Sequence, residues 1–194
     1  MTPMPHLRLC ITALLLAGIV LFSCSGLPGL SDPQGTAYRT VIIGGQTWMA
    51  ENLRFDVGDG SYCYDDDPVK CNEMGRLYTW QAALRAAEEI DGWHLPSKQE
   101  WQELVDFCGE DSAAAYFSLI SDTIGFNPEW SGVRVSTGVF KAAGLKSANY
   151  WSSSLSDTSS TLAYSVAVMS GFQMISPHNY PIANACSVRL IRDR

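Results

Sequence analysis

The chain has 194 residues, a formal net charge of −7 and 46% hydrophobic residues. That balance excludes the basic footprint of a nucleic-acid-binding protein, and no Lys/Arg cluster marks a site for anionic lipid surfaces. Six Trp and eight Tyr in so short a chain point to aromatic side chains as packing units, with a platform for stacking sugars as the sharper alternative.

Arg8 is followed by an uncharged apolar or small run from Leu9 to Phe22. This is the length of a signal h-region and falls short of the roughly 20 residues a spanning helix needs. The run ends in Leu21-Phe22-Ser23-Cys24, which resembles a bacterial lipobox, with Leu at −3, a small residue at −1 and Cys24 as the lipidated residue. An ordinary secretory signal is the plainer alternative. Ser25, where a retained inner-membrane lipoprotein carries Asp, favours an outer-membrane or cell-surface address, with the membrane as a partner through the N-terminal lipid. Residues 1–23 then form the signal peptide, and residues 24–37, with their Gly, Pro and small polar content, read as a flexible tether. Residues 38–194 are one domain, large enough to bury a core, without internal repeats.

Within that domain, Tyr38 to Ile43 and Gln46 to Met49 flank Gly44-Gly45 and predict a hairpin with a two-residue turn. Thr79 to Glu89 predicts a helix capped by Thr79, with Trp80, Ala83, Leu84 and Ala87 on one face. Ser97 and Glu100 form an S-x-x-E capping box ahead of Trp101, Leu104, Val105 and Cys108, and Gly109 stops that helix. Asp111 to Ile120 predicts another short helix, with Ala113, Tyr116, Phe117 and Ile120 inward. From Gly125 onward, Gly, Ser and Asn punctuate β-like runs at Val133–Phe140, Leu162–Val168, Gly171–Ile175 and Ser187–Arg192. The order is α+β: two or three helices, then a strand-rich C-terminal half.

Beyond Cys10 and Cys24, four cysteines remain, an even number that suits two bridges in an exported chain. Cys63 and Cys71 bracket a short acidic loop with Pro68 as its turn, and are expected to pair locally. Cys108 and Cys186 are left for a second bridge, whose long loop would contribute about 4 kcal/mol in a chain-entropy account. Asp56, Asp59, Asp65, Asp66 and Asp67 make the densest acidic region, and oxygen ligands of this kind suit calcium. The EF-hand spacing fails at Pro68, so a solvated loop is the expectation and calcium a minor alternative. No metal-binding or catalytic constellation is otherwise present: there is no HExxH, paired His or nucleophile elbow. His94 reads as a packed residue with its polar tip on backbone, and His178 as part of a surface turn, Ser176 to Pro181, that could rim a binding site.

Gly92-Trp93-His94-Leu95-Pro96-Ser97, with Glu100-Trp101, resembles the G-W-[HR]-[LV]-P-[ST]-x-x-E-W signature of the Fibrobacter succinogenes major paralogous domain (FISUMP) family. Val41 to Leu53, Gly75 to Trp80, Tyr150 to Ser154 and Ser187 to Asp193 match further segments in family order. The resemblance implies a C-type-lectin-like domain and a bacterial surface lipoprotein, and brings no general activity with it. Family members carry Cys before the Gly-Trp and in the last strand, where this chain has Ile90 or Asp91 and Leu190. Those substitutions fit an alternative bridge. A more distant resemblance, through Leu95-Pro96-Ser97 to Trp101 and the final Val-Arg-Leu-Ile strand, is to formylglycine-generating-enzyme-like proteins. It offers an enzyme as the competing reading, although that group's copper chemistry needs two late cysteines and Cys186 alone is late here. Shared fold residues do not transfer function. The expectation is therefore a binding or structural surface module that recognises a glycan or a surface protein, or serves in assembly or adhesion. Trp130, Asn149, Tyr150, Trp151 and Tyr180 would form its ligand-binding face, and no catalytic residue is assigned.

Overall fold

The computed structural model describes residues 29–192. The expected signal segment, the expected lipidation at Cys24 and the first part of the expected tether lie outside that range. The folded domain begins earlier than the sequence suggests. Strand β1 (Leu30–Ser31) pairs antiparallel with β2 (Ala37–Tyr38). Leu30 is buried in the core, and buried Asp32 accepts a 2.6 Å hydrogen bond from the Tyr38 hydroxyl. A tether reaching residue 37 is thus corrected: an apolar Leu and a partnered carboxylate fix this segment despite its Gly and Pro content.

The Gly-Gly hairpin is present. β3 (Thr40–Ile43) and β4 (Gln46–Met49) pair with Ile43 opposite Gln46. Gly44 and Gly45 have φ of 58° and 84°, the left-handed pair that a two-residue turn of this hand requires. Beyond β5 (Ser61–Tyr62) the acidic loop contains helix α1 (Pro68–Met74), which the sequence reading lacks. Asp67 caps it by accepting from the Val69 N–H at 2.9 Å, and Pro68 occupies the first turn, where its missing N–H costs nothing. The Cys63–Cys71 disulfide ties this helix to the turn before it.

β6 (Leu77–Thr79) leads into α2 (Trp80–Glu88), capped by the Thr79 side chain as expected. Its buried face is Ala82, Ala83, Ala86 and Ala87, with Trp80 and Leu84 half-buried at the edge. After β7 (Trp93–His94), α3 (Lys98–Cys108) starts at a complete capping box: the Ser97 hydroxyl accepts from the Glu100 N–H, and Glu100 accepts from the Ser97 N–H. α4 (Ser112–Leu119) is capped by Asp111, and buries Ala115, Tyr116 and Leu119 while Phe117 faces solvent. The inward face is therefore rotated from the expected one. The strand-rich half comprises β8 (Val133–Arg134), β9 (Phe140–Lys141), β10 (Ser147–Ser156), β11 (Ser159–Met169), β12 (Met174–Pro181), β13 (Ala185–Cys186) and β14 (Ile191–Arg192). The run expected at Gly171–Ile175 is instead a turn entering β12, and the expected loop around His178 lies within β12.

Four α-helices and antiparallel strands in several sheets make the domain α+β among the described residues. β10, β11 and β12 form one sheet, β3-β4-β14-β7 a second and β5-β6-β13-β8-β9 a third. The β10–β12 sheet stands between two core clusters. Tyr150, Tyr164, Val166 and Val168 pack into the cluster of Trp48, Trp101, Leu104 and Phe126. Trp151 and Ala163 pack into the other, with Tyr78, the α2 alanines, Leu95 and Val188. Successive strand residues point to opposite faces, so adjacent Tyr150 and Trp151 serve different cores. Each fully buried large apolar side chain contributes roughly 1.5–3 kcal/mol.

The expected Cys108–Cys186 bridge is absent; both are free and buried. The physical reason is placement: Cys108 belongs to one core cluster and Cys186 to the other. Burial pushes the Cys108 thiol up to about 11, and that of Cys186 well above its ordinary value. Ile90 and Leu190, at the alternative cysteine positions, are packed apolar residues of one cluster.

Candidate functional site

The residues of the sequence motifs converge on a buried centre. Trp48 and Trp101 lie 4.8 Å apart between ring centroids, and Phe126 packs edge-on to both at 6.1 Å. The guanidinium of Arg189 stands 4.2 Å from the Phe126 centroid and is fully buried. It donates to the Asn52 side-chain oxygen at 2.9 Å, to the Asn127 carbonyl at 2.9 Å and to the carbonyl of Phe126. Asn52 in turn donates to the Met74 carbonyl at 2.9 Å. Glu129 accepts from the Asn52 N–H at 2.8 Å, and burial raises its pKa against the pull of Arg189. A cation held by carbonyl oxygens and ring faces binds the β4 exit, the Phe126 loop and the last strand together. This arrangement is scaffold.

His94, at the end of β7, is half-exposed, and its Nε2 bonds the Glu100 carboxylate at 3.0 and 3.1 Å. Burial works against ionisation of Glu100, but hydrogen bonds from the Ser97 N–H and hydroxyl and from His94 hold its pKa below the usual carboxylate value.

The residues proposed as a sugar platform are for the most part unavailable. Tyr150 and Trp151 are fully buried and Asn149 is nearly so, because β10 has a core on each face. The Trp151 indole donates to the Tyr78 carbonyl at 2.7 Å, and Tyr150 packs 5.6 Å from Phe126. Trp130 is half-buried against the second core cluster. Tyr180 remains on β12, half-buried, 6.1 Å from Trp151 and 5.4 Å from His178. Burial raises the Tyr180 pKa.

A groove of about 240 Å³ lies beside these residues, where the start of α3, the β10–β11 turn and β12 meet. Tyr164 forms its floor, opposite Asn179 in the β11–β12 register. The Lys98 ammonium stands 5.6 Å above the Tyr164 ring and 3.7 Å from the Asp157 carboxylate. Ser154 on β10 accepts from the Lys98 N–H at 3.0 Å and so fixes the start of α3 against the sheet. Nδ1 of His178 donates to the Ser176 carbonyl at 3.0 Å, which sets the ring's orientation. Ser156, Asp157, Thr158, His178 and Asn179 thus offer hydroxyl, carboxylate, imidazole and amide groups around one aromatic floor. Sequence reading flagged His178 and missed Lys98, Asp157, Tyr164 and Asn179. The available signal was Ser156-Asp157-Thr158, a polar turn between two long Ser- and Thr-rich runs.

Three carboxylates of the acidic region around residues 56–67, those of Asp56, Asp65 and Asp67, are engaged in structure. Asp56 accepts from the Gly58 N–H and the Ser61 hydroxyl, both at 2.9 Å, and pairs with Arg76. Asp65 pairs with Lys70 at 2.5 Å, and Asp67 caps α1. Among the described residues, no group of three or more His, Cys, Asp or Glu is placed to hold a metal ion.

Fold and motif geometry together define an α+β domain whose signature residues build its core and whose polar groove lies at a sheet margin. The chain belongs to the Fibrobacter succinogenes major domain family: that family's model matches residues 41–192, nearly the whole described domain. No curated protein and no solved structure matches the chain.

Proposed function

We propose that this chain is a lipid-anchored, extracytoplasmic binding module of lectin-like type that takes a glycan in the groove between α3, the β10–β11 turn and β12. The observation that carries the reading is the groove's lining: hydroxyl, amide, imidazole, ammonium and carboxylate groups set around a small groove whose base includes the edge of largely buried Tyr164. Polyhydroxylated ligands are bound through such mixed donors and acceptors. The lipobox supplies the anchor and the outer-membrane or cell-surface address, and the groove supplies the recognition.

The test is a glycan array probed with the full chain in mild detergent, with calcium present and with it chelated. A reproducible hit that Lys98→Ala and Asn179→Ala each weaken at least tenfold supports the groove, and insensitivity to chelation assigns it to direct hydrogen bonding and stacking. No hit from protein with a native thermal transition overturns the glycan reading, as does a hit that neither substitution changes. Palmitate labelling of wild type and Cys24→Ala tests the anchor, and equal incorporation would sink it.

A further inference from the structure

The sheet of β10, β11 and β12 holds the three longest strands among the described residues, of 10, 11 and 8 residues. β11 lies at its centre. The outer flank of β10 is met by Gly132 and Ser187, which bridge to Ala148 and Tyr150. β12 is paired on one side alone, so its other side is the longest open strand edge among the described residues. An edge of that length is a template for strand addition unless something blunts it.

The register decides which main-chain groups lie on this edge. The Ile182 N–H, just past β12, donates to the Thr161 carbonyl at 3.1 Å, in step with the pairing of Leu162 with Pro181. Main-chain groups alternate sides along an antiparallel strand. The even-numbered residues of β12 therefore bond β11, and Ile175, Pro177, Asn179 and Pro181 turn their groups outward. Both prolines fall on the side where the ladder does not need an N–H.

The outward row is almost used up. Ser112, at the start of α4, accepts from the Ile175 N–H at 3.1 Å and donates to the Ile175 carbonyl at 2.5 Å. Pro177 and Pro181 have no N–H to give, and the Pro181 carbonyl accepts from the Asn184 N–H at 2.9 Å. Asn179 alone of the row keeps both its N–H and its carbonyl unbonded to a described residue. A strand laid along β12 would find one donor in four positions, and its own carbonyls would be buried unmatched at the other three.

We infer that this edge is sealed against strand addition: neither a second copy of the chain nor an extended segment of another protein associates through β12. Two proline rings and one helix hydroxyl form the seal. The one unsealed residue, Asn179, lines the groove beside α3, so the seal also keeps that groove from being overlaid by a strand. This holds whatever the groove binds.

The test is sedimentation of the full chain in mild detergent, with wild type compared to a Pro177→Thr/Pro181→Thr variant. Those substitutions return an N–H to two outward positions and leave the bonds to β11 in place. The opened variant is expected to self-associate at least tenfold more tightly than wild type, and its Asn179 amide to exchange with solvent at least tenfold more slowly once associated. Adding Asn179→Pro removes the central donor of the row and should return association to the wild-type level. Association caused by a loosened fold would not be reversed by a further proline on the edge. An opened variant with a native thermal transition and wild-type association overturns the seal, as does association that Asn179→Pro leaves unchanged. Slowing of the wild-type Asn179 amide with rising protein concentration would mean that the edge is already in use, and overturns it too.

Discussion

Arg189 ties together two segments that lie far from it in the sequence. Its guanidinium supplies donors to oxygens of Asn52, Phe126 and Asn127, segments separated by more than sixty residues from it in sequence. Replacing it with Met keeps the stem and leaves those buried oxygens without donors. Arg189→Met is expected to cost about 3 kcal/mol, read as a lower urea midpoint. Arg189→Lys should recover less than half of that loss, since an ammonium cannot reproduce the planar fork. An Arg189→Met midpoint equal to wild type would refute the scaffold role. The sequence placed Arg189 in a matched segment without revealing this role, because its partners come together only in three dimensions. Trp101 was legible for the opposite reason: its inward position follows from helical spacing after Ser97.

At the scale of elements, local chemistry decided what could be read. The Ser97–Glu100 box, the Thr79 cap and the Gly44-Gly45 turn are written in neighbouring residues, and all are present. Helix α1 is hidden in the sequence because Asp67-Pro68 suits a turn as well as a cap followed by a first-turn proline. β10 is hidden for a different reason. A strand buried on both faces shows no polar alternation, so Tyr150 and Trp151 among serines and asparagine resembled an exposed platform. The groove was less legible than the fold, since it joins Lys98 to residues some sixty to eighty positions away.

The box at α3 also makes a pH prediction. Glu100 has its pKa held below the ordinary 4.5, so its contribution is fully present above that value and is lost as pH falls through the lowered one. Glu51 and Asp56 are lowered as well, despite the opposing effect of burial, by hydrogen bonds and neighbouring arginines. Glu129 has the opposite sign: burial raises its pKa, so its share favours the fold at low pH and fades as pH rises through the raised value. The lowered groups outnumber it, and stability should fall as pH drops below about 4.5. Ser97→Ala should cost about 1 kcal/mol at neutral pH and flatten that acid slope, because it removes a hydrogen bond that favours ionised Glu100. Urea titrations of both proteins at several pH values check this, and parallel slopes would refute the coupling.

Across the whole molecule, the β10–β12 sheet is shared by both clusters, so neither cluster has a complete wall without it. Unfolding should therefore proceed as one transition, with calorimetric and van't Hoff enthalpies equal. Two resolved transitions would show that the clusters are independent. The family match, residues 41–192, covers nearly all of the described domain, the groove and most of both core clusters included.

The sheet orders carry a consequence for how the chain is completed. β14 lies between β4 and β7, and β13 between β6 and β8, so the last strands to be synthesised fill interior slots in sheets whose other members are mostly made early. Folding from the N-terminus thus leaves two gaps that the chain's own tail must close. Until Cys186 and Ile191 emerge, β4, β6 and β7 have unpaired backbone edges and the Arg189 donors are missing. A nascent chain of this topology completes neither sheet until residues 185–192 are available, so its strand pairings are mostly long-range and late.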